Sequence, residues 1–144
     1  MTYNQLGFAL IGLSTVSFAI IDAAHKKTGE TNLITGLGFG LDIDDNVVTC
    51  NARFSFEKKE DQPFIILEVQ SSFEIEKNDF STKMKQDDNS YLITKALAIH
   101  FAVLTIGSAR GVLHAKTEGT PYNEYLLPTI DVNKMILEDV IFEF

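Results

Sequence analysis

Four stretches between residues 6 and 76 alternate large apolar with small or polar residues at a period of two, and beyond residue 89 the period changes to about 3.6. The first pattern is that of half-buried β-strands and the second that of a helix, so a chain built this way folds as strands first and helices after. The first stretch, Leu6 to Ile21, carries no charge. Its even positions read Leu6, Phe8, Leu10, Gly12, Ser14, Val16, Phe18, Ile20, an apolar set that predicts one long strand. A secretory leader would begin with a basic region, and a spanning helix would tolerate Gly7, Gly12, Ser14, Thr15 and Ser17 poorly, so neither is expected here.

From Leu33 to Asp44, Leu33, Leu37, Phe39, Leu41 and Ile43 share one face, and Gly36, Gly38, Gly40, Asp42 and Asp44 take the other. Asp45 and Asn46 tolerate a positive φ and predict a tight turn. A third strand follows, with Val48, Cys50, Ala52, Phe54 and Phe56 inward, until the run Lys58 to Asp61 and Pro63. The fourth, Phe64 to Glu76, sets Ile65, Leu67, Val69, Phe73 and Ile75 against Glu68, Gln70, Ser72 and Glu74. A broadly apolar helix is predicted from about Ser90 to Ala115, and a short one after Asp131 with Val132, Met135, Ile136 and Val140 in a stripe. The expected fold class is α+β: a four-stranded antiparallel sheet with two helices, order ββββαα, in one domain over residues 1–144. A helix so apolar needs cover on more than one side, which predicts self-association.

Composition narrows the function. Twelve Lys and Arg against 20 Asp and Glu give a net charge of −8, the wrong sign for neutralising phosphates, so nucleic acid is not an expected partner. The single Cys50 allows no internal disulfide and no thiolate zinc site, and a reducing, cytoplasmic setting fits it. His100 and His114 stand 14 residues apart on the long helix, about 21 Å along its axis, too far to share a metal. Asp42, Asp44 and Asn46 imitate the start of a calcium loop, but Val47 and Arg53 occupy the positions that need Gly and Glu. Ser108 lies within Gly107 to Gly111 inside a helix and forms no nucleophile elbow. No catalytic set and no cofactor are expected. What remains conspicuous is apolar surface on the glycine-lined second strand and in the last stripe.

The order ββββαα, the segment Phe39 to Asp44, the strand Ile66 to Gln70, the pair Ala109 and Arg110, and the ending Gly119 to Pro121 with Leu127, Pro128 and Ile130 resemble the SecB-like proteins. These are protein-export chaperones and relatives linked to toxin-antitoxin systems. The resemblance implies both helices on one sheet face, a homotetramer built as a dimer of dimers, and an ATP-independent holdase for unfolded polypeptides. It implies client binding by Phe39, Leu41 and Ile43 and by Val132, Met135 and Ile136. It also implies docking to the motor SecA through Ile66 and Glu68, although Thr15 and Ala19 stand where the family has acidic docking residues. An antitoxin is the other partner the resemblance brings in. An adaptor module that binds one folded partner is the competing expectation, told apart by a single saturable partner and no effect on unrelated unfolded proteins.

Overall fold

A computed structural model describes residues 6–144. Four long strands, β1 (Phe8–Ile20), β2 (Asn32–Asp42), β3 (Val47–Lys59) and β4 (Gln62–Ile75), form an antiparallel sheet in the order β1-β4-β3-β2. The two hairpins follow local chemistry. Asn46 (φ 48°) and Asp61 (φ 63°) take the left-handed conformation that the β2–β3 and β3–β4 turns require. Asn46 also ties its turn to β4, its side-chain amide donating to Ile75 O at 3.1 Å and its carbonyl accepting from Ile75 N at 2.8 Å.

β1 does not pair with its sequence neighbour β2. It crosses to β4, from Phe8 opposite Ile75 to Ile20 opposite Ile65. The expected unbroken alternation is interrupted twice, at Leu10/Gly12 and Thr15/Ser17, where the register shifts. Each bulge turns the strand over relative to the sheet. Phe8 and Leu10, then Leu13 and Thr15, then Phe18 and Ile20 therefore face the side on which β4 presents Phe73, Ser71, Val69, Leu67 and Ile65. Both parities of β1 are apolar, so periodicity could not reveal the change.

α1 (Lys77–Asp79) is a single turn, extended by a π-turn over Phe80–Met84, and Glu76 caps it by accepting from the Asn78 and Asp79 amides at 2.9 and 2.8 Å. A second, small antiparallel sheet follows, β5 (Lys85–Asp87), β6 (Ser90–Ile93) and β7 (Val140–Glu143), in the order β5-β6-β7. Thus Ser90–Ile93, expected as the first turn of the long helix, is a strand. The long helix itself, α2 (Lys95–Thr117), starts at the cap Thr94, whose hydroxyl accepts from Leu97 N at 3.2 Å. The Lys95 amide is satisfied by Asp139 at 2.7 Å. The short last helix is not formed: Asp131 caps only a 3-10 turn at Val132–Lys134, and the chain then extends into β7. Pairing Val140 with Ile93 and Phe142 with Tyr91 satisfies backbone groups of both segments, an advantage that periodicity within either segment cannot show.

α2 presents Ala98, Phe101, Ala102, Thr105, Ile106, Ala109 and Leu113 to the sheet, a spacing of three and four that keeps them on one helical face. Phe101 stacks on Phe73 with ring centroids 3.9 Å apart, and the Phe8 ring meets Phe101 edge-on at 5.0 Å. By length and composition α2 is apolar enough to cross a membrane. Here its inner face is part of the domain core, whereas its outer face leaves Val103 and Leu104 exposed.

Candidate functional site

The second strand carries two rows of opposite character. Leu33, Leu37, Phe39 and Leu41 lie half-buried against the core, opposite Phe56, Ala52, Cys50 and Val48 of β3. Gly36, Gly38 and Gly40 form the outer row, opposite Arg53, Asn51 and Thr49. Among the described residues no strand is hydrogen-bonded to the other side of β2, so its outward main-chain groups form a sheet edge. Ile43 projects from the turn, 36% exposed, beside the exposed Asp42, Asp44 and Asp45.

The other half of the expected apolar site is placed differently. Val132 and Ile136 are 4% and 7% exposed and belong to the core, while Met135 is half-buried. With the last helix replaced by a 3-10 turn, these residues no longer share one exposed helical stripe. Between α2 and this segment lies an open notch of about 240 Å³ lined by Val103, Ile106, Arg110, Thr129, Ile130 and Val132. Arg110 holds the segment down, donating from Nε to Leu127 O at 2.9 Å and from Nη2 to Pro128 O at 2.8 Å.

Ile66 and Glu68 are on the outer face of β4. Glu68 is already engaged, accepting from Asn51 at 2.9 Å and pairing with Arg53 at 3.3 Å. Ala19 is opposite Ile66, whereas Thr15 is opposite Val69 and faces the other side because of the second bulge. The Thr15 and Ala19 positions are therefore not on one surface.

Two features escaped the sequence reading. One is an aromatic cluster at the β3–β4 hairpin end, where Phe64 meets His25 at 4.7 Å and Tyr125 at 4.9 Å. The His25 Nε2 and the Tyr125 hydroxyl are hydrogen-bonded at 2.8 Å, and Tyr122 donates to the Asp22 carboxylate. That bond raises the Tyr122 phenol above its ordinary pKa, and desolvation does the same for Tyr125. Long-range pairs of this kind leave no local signal in a sequence. The other is the exposure of β1: Leu10, Ile11, Leu13 and Val16 are each at least half exposed.

Cys50 is buried, and desolvation raises its thiol pKa, so it is a packing residue with little thiolate. Among the described residues no group of three or more His, Cys, Asp and Glu side chains is placed to hold a metal. No family model, curated protein or solved structure matches this chain.

Proposed function

We propose that this chain is an ATP-independent, SecB-like holdase that keeps unfolded polypeptides from aggregating and works as a homo-oligomer. The observation that carries the reading is the apolar set formed by the half-buried Phe39 and Leu41 of β2, a strand with no hydrogen-bonded edge partner among the described residues, and the exposed Ile43 of the turn that follows. Burying an apolar side chain contributes roughly 1.5 to 3 kcal/mol, so several such contacts along an extended segment give useful affinity without sequence specificity. The exposed β1 residues Leu10, Ile11, Leu13 and Val16, with Val103 and Leu104 of α2, supply the apolar area for assembly into a tetramer. In this reading Met135 lies at the margin of the client surface, while Val132 and Ile136 support it from the core. The reading stops short of SecA docking, because Glu68 is neutralised by Arg53 and Thr15 and Ala19 bring no charge. A link to an antitoxin and a cytoplasmic setting remain part of the proposal.

The test combines mass in solution with suppression of aggregation for two unrelated unfolded proteins, without nucleotide. An oligomer that protects both supports the proposal. A protein that protects neither overturns it and favours an adaptor with one folded partner. Replacing Leu41 and Ile43 together by Ser is expected to weaken protection while leaving the circular dichroism spectrum unchanged; undiminished protection would remove these residues from the site.

A further inference from the structure

The two edges of the large sheet are built differently. β1 carries two bulges, the ordinary device that spoils a template for strand addition. β2 pairs with β3 through an unbroken register from Asn32 to Asp42, and Leu33 to Leu41 contain no charge and no proline. Nothing else among the described residues makes a main-chain hydrogen bond to Leu33–Leu41. β7 packs close to β2, but it makes no main-chain hydrogen bond to this edge, which is roughly 30 Å long at the rise of an antiparallel strand.

Its glycines are not all explained by the monomer. A Cβ on Gly40 would come within 2.7 Å of Thr49 Oγ1, so the sheet itself requires that glycine. A Cβ on Gly36 or Gly38 would meet nothing within 4 Å, and neither residue has a positive φ. Glycine inside a strand costs stability, and its recurrent use is to let another chain come close. The bare row lies beside the taller side chains Asn51 and Arg53, a step across which large side chains of an added strand fit.

We propose that the β2 edge captures an extended polypeptide as a fifth, antiparallel strand, with bulky side chains at alternate positions over Gly36 and Gly38 and a basic residue at its N-terminal end. This rests on the holdase reading and specifies how that site binds. The direction comes from charge: Asp42, Asp44 and Asp45 cluster at the C-terminal end of β2, and no Lys or Arg occurs from Thr28 to Ala52. An antiparallel strand begins beside those carboxylates. The opposite end is mixed, with Lys26, Lys27 and Glu30 close in sequence and Lys58 donating to Gly29 O at 3.1 Å, and adds little polarity. A second copy of β2 is a poor occupant, because antiparallel self-pairing about Leu37 sets Gly36 opposite Gly38 and Ile34 opposite Gly40, so no large side chain falls over the two glycines that the monomer leaves unexplained. Main-chain hydrogen bonds supply the affinity in such capture, and alternate side chains the selectivity.

The probe is a synthetic peptide of two lysines, alternating valine and tyrosine, and a final glutamate, labelled with fluorescein and titrated by anisotropy against the whole chain. In a strand, alternate amides point to opposite edges. N-methylation of the valines alone or of the tyrosines alone is therefore expected to weaken binding at least tenfold in one series and less than twofold in the other. Equal effects in both series, or none in either, overturn strand addition. Hydrogen exchange is expected to show new protection within Leu33–Leu41; protection within Phe8–Ile20 instead overturns the choice of edge. A peptide with the charges exchanged between its ends is expected to bind at least fivefold more weakly at low salt, and the difference is expected to vanish in the variant D42N/D44N/D45N. Equal binding of the two peptides overturns the proposed direction. Aggregation suppression measured alongside separates the two ideas: protection that persists without alternate-amide dependence removes strand addition alone, and absent protection removes the holdase reading.

Discussion

The contrast between Gly36, Gly38 and Gly40 can be tested on stability. Replacing Gly36 or Gly38 by Ala puts a methyl group into open space at an ordinary backbone conformation, so only the entropy of the unfolded chain changes. That change is worth about 0.4 to 1 kcal/mol in favour of the folded state. Replacing Gly40 by Ala makes the same gain but places the methyl carbon 2.7 Å from Thr49 Oγ1, well inside normal contact. Relieving such overpacking typically costs about 1 to 3 kcal/mol, so the net effect is destabilising. Followed by circular dichroism in urea, with a slope near 2 kcal/mol per M, Gly36→Ala and Gly38→Ala should each raise the midpoint by about 0.2 to 0.5 M. Gly40→Ala should lower it. Adding Thr49→Ala to Gly40→Ala removes the obstructing oxygen and should recover most of the loss, a coupling of about 0.5 to 3 kcal/mol. Midpoints that fall alike for all three glycines, or a double variant that shows no coupling, would refute the reasoning.

Arg110→Ala should free the segment after Tyr125, because two carbonyls lose their donors, and limited proteolysis should then cut between residues 125 and 131 before the rest of the chain. The Cys50 thiol, raised by burial, contributes stability that is fully present below its unfolded pKa and is lost as pH rises through the folded value. Cys50→Ala should therefore flatten the alkaline decline in stability above about pH 9, and native protein should react with thiol reagents only as fast as it unfolds. Asp79 behaves in the opposite sense: its Oδ2 accepts from the Gly7 amide at 2.8 Å, and that bond with the nearby Lys83 lowers its pKa. The stability it contributes is present above the unfolded carboxylate range and is lost as pH falls through the folded value, so Asp79→Asn should blunt the acid sensitivity of hydrogen exchange at the start of β1.

Strands β2, β3 and β4 could be read from alternation because one face of each is apolar and the other small or polar. Asn46 could be read as a turn because few residues tolerate its φ. β1 could be read as a strand but not placed: both its parities are apolar, so neither bulge leaves a mark. The small sheet was hidden for another reason. Tyr91–Ile93 and Val140–Phe142 are too short to show a period, and each forms only because the other, about 50 residues away, supplies its partner. Losing that pairing from view made Val132, Met135 and Ile136 look like one helical stripe. The shared face of Leu37, Phe39 and Leu41 was accessible to sequence reasoning because it depends on alternation within a single strand.

Because β1 is made first but pairs with β4, its hydrogen-bonding partner is complete only when Ile75 has emerged from the ribosome. At about 5 to 20 residues per second, the interval from Ile20 to Ile75 is roughly 3 to 11 s. During it the hairpins of β2, β3 and β4 can close locally, while an uncharged run of sixteen residues, Leu6 to Ile21, waits without a strand to join. During that interval the nascent β1 is in the condition of the clients proposed for this protein.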